Sequence, residues 1–113
     1  METKRIVRAL GALAQESRLA VFRLLVQAGP GGMAAGQIAE QLGIAPSSLS
    51  FHMKELAHAE LVTVLQQGRF MIYSANYSAM NALLAYLTEN CCGGNPCTPV
   101  RVRARKKLPE DQS

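Results

Sequence analysis

The stretch AGQIAEQLGIAPSSLSFHMKELAHA, residues 35–59, contains two short helical patterns separated by a break. In the first pattern, apolar residues recur at helical spacing up to Leu42, and Gly43 follows as a residue that suits the end of a helix. Pro46 suits the first turn of the second helix, which is predicted to extend to about Ala59. Two short helices joined by about three residues are typical of a helix-turn-helix.

The second of these helices carries many polar residues on its outward side. We expect its buried side to consist of Leu49, Met53, Leu56 and Ala57. The outward positions are then Ser47, Ser48, Ser50, Phe51, His52, Lys54 and Glu55. In helix-turn-helix motifs that bind DNA, the second helix enters the major groove, where hydroxyl, imidazole and ammonium groups can contact bases and phosphates. The same side chains also suit a solvated helix surface, so this face alone leaves both interpretations open.

After Glu60 the apolar pattern changes from a helical period to an alternating one. Residues 61–67 and 70–75 are rich in β-branched and aromatic residues and predict two strands. Gly68 and Arg69 between them fit a type II′ turn, which has glycine at its first central position. This turn gives two predicted cross-strand pairs, Leu65 with Ile72 and Val64 with Tyr73. A hairpin directly after a helix-turn-helix predicts a winged helix, in which Arg69 at the tip either reaches DNA or lies in solvent.

Three further helical patterns occupy residues 5–13, 16–27 and 78–89. The predicted fold is therefore mainly α with a small β-hairpin, arranged as a winged helix-turn-helix. The first and last helices each carry a stripe of apolar residues. The first has Ile6 and Leu10, and the last has Leu83, Leu84 and Leu87. If exposed, these side chains would form an interface with another molecule; otherwise they complete the core of the monomer.

Composition and charge limit the classes of function. The chain has 113 residues, 49% of them hydrophobic, and a formal net charge of +4. Most of the excess positive charge lies in residues 98–113, which lack an apolar period and are expected to form a disordered basic tail after a domain of residues 1–97. No apolar run approaches the ~20 residues of a membrane helix, and the N-terminus does not resemble a signal peptide, so a cytoplasmic protein without a membrane partner is expected. The sequence contains no catalytic constellation, so neither enzyme activity nor a catalytic cofactor is expected.

The three cysteines, Cys91, Cys92 and Cys97, form a cluster. A secreted disulfide scaffold would have an even and dispersed set, whereas thiols in the cytoplasm stay reduced. Clustered thiols indicate binding of a soft metal or redox chemistry. A redox-switch disulfide between Cys97 and one of its neighbours remains an alternative, as does a thiol redox or metal-carrier protein that does not regulate DNA.

Several segments together form a specific pattern: Glu16-Ser17-Arg18-Leu19, residues 42–56, Glu60-Leu61-Val62, Gly68-Arg69 and Tyr73. This pattern resembles the ArsR-type metalloregulatory repressors. The resemblance implies a homodimer formed through the first and last helices, with each recognition helix and wing on one half of a near-palindromic operator. It also implies a repressor that leaves double-stranded DNA when a metal or metalloid binds. The candidate DNA-binding residues are Gln37, Ser47, Ser48, Ser50, His52, Lys54 and Arg69.

Sensor sites of this family lie in different elements, and two of them are missing from this sequence. Residues 34–38 contain no cysteine, and residues 77–84 contain no histidine or aspartate. The remaining set, Cys91, Cys92 and Cys97, resembles the C-terminal three-cysteine site of an arsenic-responsive branch. Trivalent arsenic is soft and is satisfied by three thiolates, whereas structural zinc takes four ligands. The predicted inducer is trivalent arsenic, with antimony as a second candidate; another soft metal, a methylated arsenical and oxidation are alternatives.

Overall fold

The computed structural model describes residues 2–94, and the helices and strands below all lie within that range. The helices are α1 Thr3–Leu13, α2 Glu16–Ala28, α3 Ala35–Leu42, α4 Pro46–His58 and α5 Tyr77–Leu87. The strands are β1 Met33–Ala34, β2 Val62–Gln67 and β3 Phe70–Ala75, and a 3₁₀ turn, Cys91–Gly94, follows α5. The predicted fold, mainly α with a hairpin in winged helix-turn-helix order, is confirmed. Cys97 and the predicted tail of residues 98–113 lie outside the described residues.

The turn between α3 and α4 follows the expected chemistry. Gly43 adopts the left-handed conformation, with φ +64°, and the backbone N–H of Ile44 donates to the carbonyl of Ala39 at 3.0 Å. This arrangement satisfies a carbonyl group that the end of α3 would otherwise leave free. Pro46 is the first residue of α4, where its missing N–H costs no helical hydrogen bond.

The sheet contains one strand more than the sequence predicted. Its order is β1-β3-β2, and all pairs are antiparallel. The predicted register of the hairpin is confirmed, since Leu65 pairs with Ile72 and Val64 pairs with Tyr73. Gly68 has φ +62°, the positive value that the first central position of a II′ turn requires. The additional strand β1 is two residues long, which is too short to produce an alternating pattern in the sequence.

The core lies between α2, α4 and the inner face of the sheet. Its fully buried large side chains are Val21, Leu25, Ile38, Leu49, Met53, Leu56 and Leu61. Ala57, predicted to be buried, is exposed, because it lies to the side of the α4 stripe that Leu49, Met53 and Leu56 form. The Tyr77 hydroxyl donates to the carbonyl of Val26 at 3.0 Å and thereby joins the start of α5 to the end of α2.

The predicted apolar stripe on α1 and α5 divides into two sets. Ile6 and Leu83 are buried within the chain, whereas Leu10, Leu84 and Leu87 are exposed. The bounds of both helices differ in part from the prediction: α1 ends at Leu13 as predicted but begins two residues earlier, and α5 is shifted towards the N-terminus. α1 begins at Thr3 and α5 ends at Leu87, where the Thr88 hydroxyl donates to the Leu84 carbonyl at 2.8 Å and Asn90 soon turns the chain with φ +57°. Among residues 2–94, none of the helices combines the length and apolar character needed to cross a bilayer.

Candidate nucleic-acid interface and cysteine site

The outward side of α4 carries a continuous row of exposed side chains. Leu49, Met53 and Leu56 fix the buried side of the helix, and the row that faces away from them is Ser47, Phe51, Lys54 and His58. These four residues, which we call the outer ridge, follow the i, i+4, i+7, i+11 spacing of one helix face. All four are exposed, and Ser48 and Ser50 are exposed beside them. The ridge therefore offers hydroxyl, aromatic, ammonium and imidazole groups to whatever lies against α4.

The N-terminus of α4 has no side-chain cap. Ala45 occupies the N-cap position and has no group that could accept a hydrogen bond from the first turn. The backbone N–H groups of Ser47 and Ser48 lie in this first turn, where no helical carbonyl is available to them. Uncapped N–H groups at the positive end of the helix dipole favour an anion such as a phosphate.

His52 differs from the predicted outward position. Its ring is half-buried, and Nδ1 is buried without a hydrogen-bond partner. The cause is its location beside the buried Met53 and Leu49 on the same helix. The ring packs edge-on against Phe51, with centroids 5.9 Å apart and planes at 62°. Nε2 is therefore the ring nitrogen through which His52 can contact an external partner.

Gln37 is exposed in the first turn of α3, but part of its side chain is already used. Its Oε1 accepts a hydrogen bond from the backbone N–H of Ala34 at 3.0 Å. This contact fixes the start of α3. The amide nitrogen is the part of Gln37 that can still donate to an external group.

The β2–β3 hairpin, which is the wing, supplies a second exposed cation in addition to Lys54 of α4. Arg69 lies at the tip of the β2–β3 hairpin and is exposed, and Phe70 beside it is also exposed. The Gln66 amide donates to the carbonyl of Gly68 at 3.3 Å and supports the turn. Glu60, just beyond α4, forms an ion pair with Arg5, so its negative charge is partly neutralised.

The end of α4 is attached to the start of α5 through Asn76. Asn76 is the N-cap of α5, and its Oδ1 accepts from the backbone N–H of Ala79 at 3.1 Å. Its Nδ2 donates to the carbonyl of Glu60 at 2.9 Å, and its backbone N–H donates to the carbonyl of Leu61 at 2.8 Å. One side chain thus both starts α5 and holds the segment that leaves α4. At the other end of α5, the hydroxyls of Tyr86 and Thr3 are 2.7 Å apart, which joins α5 to α1.

Two of the three predicted thiols lie just beyond α5. Cys91 is half-buried and Cys92 is exposed, and both are free cysteines. Asn90, Cys92 and Gly93 have positive φ values, of 57°, 57° and 68°, so the chain turns sharply instead of continuing the helix. The reversal begins at Asn90, directly after the segment that the sequence predicted to be helical, residues 78–89. Cys97 lies beyond the described range, and within residues 2–94 no three histidine, cysteine or acidic side chains gather into a metal site.

Sequence reasoning assigned no role to Phe51, although it recognised the position as outward. Phe51 lies in the middle of the outer ridge and is 57% exposed. The available signal was its spacing from Ser47 and Lys54, which puts all three on one face. The outward position was recognised, but only polar and charged side chains were assigned to DNA contact, so this exposed apolar ring received no role.

Comparison with known proteins agrees with this geometry. A family model described as a helix-turn-helix domain matches residues 13–64. The chain is 33% identical over 81 residues to the arsenical resistance operon repressor of Bacillus subtilis (strain 168), which covers 72% of this chain and 73% of that protein. It is 38% identical over 50 residues to the transcriptional repressor SdpR of the same organism, which covers 44% of this chain; the match spans only 56% of SdpR.

Solved structures have the same fold. NolR from Sinorhizobium fredii superposes with a TM-score of 0.62 at 28% identity, over 76% of this chain and 83% of that one. The homodimeric winged helix-turn-helix DNA-binding domain of Mb0332 from Mycobacterium bovis gives a TM-score of 0.61 at 23% identity, over 81% and 85% of the two chains. Taken together with the match to the arsenical resistance repressor, this architecture establishes that the chain belongs to the ArsR family of winged helix-turn-helix transcriptional regulators.

Proposed function

We propose that this chain is a homodimeric repressor that binds operator DNA and releases it when trivalent arsenic or antimony binds Cys91, Cys92 and Cys97. The observation that carries the DNA-binding part is the exposed outer ridge of α4, whose helix begins with an uncapped N-terminus. The hairpin that follows α4 ends in Arg69. Family membership and the repressor relatives support the same conclusion.

DNA binding by this surface divides into two kinds of contact. Lys54, Arg69 and the first N–H groups of α4 suit phosphates, which fix position without reading sequence. Ser47, Ser48, Ser50 and the Nε2 atom of His52 suit base edges in the major groove. Since residues 1–97 carry only one excess positive charge, we expect affinity to depend on these few placed cations rather than on a broadly basic surface.

The dimer is supported by the apolar surface that α1 and α5 leave uncovered. Leu10 of α1 and Leu84 and Leu87 of α5 are exposed, as is Val7. A second copy would bury these side chains around a two-fold axis, and would present two α4 helices to half-sites about 34 Å apart. The resemblance to ArsR-type repressors implies the same pair of helices. Mb0332, a relative in fold, is itself homodimeric.

The donor set after α5 fits a soft, trivalent ligand. Cys91 and Cys92 are free thiols in a segment that has already left the helix, and Cys97 would supply the third sulfur. Thiolates favour soft ions, and each thiol releases its proton on ligation. The ligand would gather the chain that follows α5, and α5 is tied to the end of α4 through Asn76 and Glu60. Ligation would therefore bias the spacing of the two α4 helices, with a coupling of about 1–3 kcal/mol, equal to a ~5–150-fold loss of DNA affinity.

The test is fluorescence anisotropy of the reduced full chain on labelled duplex DNA from immediately upstream of its own gene, at fixed salt. We expect tight binding that collapses at near-stoichiometric arsenite. Single variants Cys91→Ser, Cys92→Ser and Cys97→Ser are the matched controls: each should bind DNA like the wild type but lose most of the response to arsenite. Variants that release normally would exclude the three-cysteine site.

The same titration separates the alternatives. If DNA binding is insensitive to arsenite but is lost with cadmium, copper(I) or an oxidant, the proposed repressor function stands and arsenic is excluded as the inducer. A chain that binds neither this DNA nor any duplex selected from a random pool would contradict the DNA-binding function, and would leave the thiols as a redox or carrier site.

A further inference from the structure

Phe51 is an aromatic side chain at the most outward part of α4. It is 57% exposed, although the helix has a complete buried stripe on its opposite side. Its ring is held in place from one side by the edge-on contact with His52. Nδ1 of His52 is itself buried, so this contact joins Phe51 to a ring that is partly buried against the body of the protein.

The neighbours of Phe51 on the outer ridge determine what the ring would meet. Ser47 lies one turn before it, beside the uncapped N–H groups, and Lys54 lies one turn after it. A helix that brings these two groups to phosphates and base edges carries Phe51 into the groove between them. Phe51 lies between Ser47 and Lys54 on this face, so its ring would face the groove when Ser47 contacts a base edge and Lys54 contacts a phosphate.

The chemistry of the major groove selects a partner for a phenyl ring. Phenylalanine has no hydrogen-bond donor or acceptor, so against N7, O6 or amino groups it would remove water and return no hydrogen bond. Among the four bases, thymine alone presents an apolar group in the major groove, its C5 methyl. An apolar contact with that methyl is favourable, and the ring is large enough to cover it.

We propose that Phe51 is a specificity-determining residue that packs on the C5 methyl of a thymine in each operator half-site. This inference rests on the proposed DNA-binding function. It adds an element of sequence recognition that the polar residues of α4 cannot supply. It also predicts that the base pair contacted by Phe51 in each operator half-site is an A·T pair.

The experiment replaces thymine by deoxyuridine, which lacks only the methyl group. The probe is a duplex that the wild-type full chain has selected from a random-sequence pool, resynthesised with one thymine at a time changed to uracil. We expect one position per half-site at which uracil weakens binding about fourfold, equal to about 0.8 kcal/mol for one methyl-sized apolar group. Changing both half-sites should weaken binding about 15-fold.

The link to Phe51 is tested with variants. Phe51→Ala should bind thymine and uracil duplexes equally, whereas Phe51→Leu should keep part of the preference because leucine is still apolar. Phe70→Ala is the matched control: Phe70 is 64% exposed but lies on the wing. Even a Phe70 that touches the minor groove cannot sense a methyl located in the major groove. The Phe70→Ala variant should therefore keep the full preference for thymine.

The outcomes separate the two proposals. A wild-type chain that binds its selected duplex without sensitivity to uracil at any position overturns the Phe51 inference and leaves the DNA-binding function intact. If the Phe51→Ala variant is as sensitive to uracil as the wild type, the methyl contact belongs to another residue, and the Phe51 inference is overturned as well. A wild-type chain that selects no sequence from the pool overturns both.

Discussion

Gly32 approaches Tyr73 so closely that a Cβ atom on Gly32 would lie 2.3 Å from the Tyr73 carbonyl oxygen. Gly32 also has φ +73°, in the left-handed region that favours glycine. These two features bring β1 against β3, where Met33 pairs with Tyr73. One glycine thus connects the start of the helix-turn-helix to the wing.

We expect Gly32→Ala to lower the free energy of unfolding by about 3 kcal/mol or more, because it combines backbone strain with a clash against main-chain atoms. Gly36→Ala is the matched control. Gly36 is the second residue of α3, beside a cavity of about 110 Å³, and a Cβ there has open space, so this change should be neutral or slightly stabilising. Urea unfolding followed by circular dichroism measures both. Equal effects of the two substitutions would refute the close approach.

Asn76→Ala removes both the cap of α5 and the bond to Glu60, and should cost about 1–2 kcal/mol of unfolding free energy. Asn76→Asp keeps an oxygen for the cap but loses the donor to the Glu60 carbonyl, so it isolates the second contact. Asn81→Ala, at an exposed site within α5, should be neutral or slightly stabilising, since alanine has the higher helix propensity. If Asn76→Asp unfolds like the wild type in urea, the Glu60 contact contributes nothing.

Leu84→Glu tests the dimer. Leu84 is 53% exposed in the single chain, so the substitution should leave the circular dichroism spectrum unchanged. At a symmetric interface it would remove two leucine side chains and add two charges, which should raise the dimer dissociation constant at least about 100-fold. Analytical ultracentrifugation reports the mass. Leu65→Glu changes a leucine that is 59% exposed on β2 and should leave the dimer intact. A Leu84→Glu variant that remains dimeric would remove this face from the interface.

Lys54→Ala and Arg69→Ala should weaken DNA binding for every sequence and flatten its dependence on salt. Each lost phosphate contact removes about 0.9 from the slope of log affinity against log salt concentration, or about 1.8 for the two copies in a dimer. Lys4→Ala is the control, since Lys4 is exposed on α1 and belongs neither to α4 nor to the hairpin. Anisotropy titrations at four salt concentrations give the slopes. A slope like that of the wild type would exclude the substituted residue from phosphate contact.

The elements that sequence predicted well are those set by local chemistry. Gly43 and Pro46 punctuate the helix-turn-helix, and Gly68 fixes the register of β2 and β3 through its turn. The strand β1 escaped prediction because two residues have no period. Its position depends on a contact with Tyr73, which is distant in sequence.

The candidate site was predictable in outline but not in detail. Helical spacing identified the outward residues of α4, but it could not distinguish the half-buried His52 from its exposed neighbours. The bond from Asn76 to Glu60 spans sixteen residues and leaves no local pattern. The left-handed turn at Asn90 and Cys92 could not be predicted either, since positive φ is expected mainly at glycine and neither residue is a glycine.

The sheet order β1-β3-β2 has a consequence for the behaviour of the protein in solution. β2 is an edge strand along its six residues, and its sequence, VTVLQQ, contains no charge and no proline. Natural proteins protect such edges with lysine, proline or bulges, because unpaired N–H and C=O groups are templates for strand addition by another chain. If the wing is covered on DNA, a molecule that has left its operator is also the one with the more accessible edge. Under the proposed function, release from DNA would then increase self-association through β2. Gln66→Lys would place a charge on this edge and should prevent the self-association without preventing release from DNA.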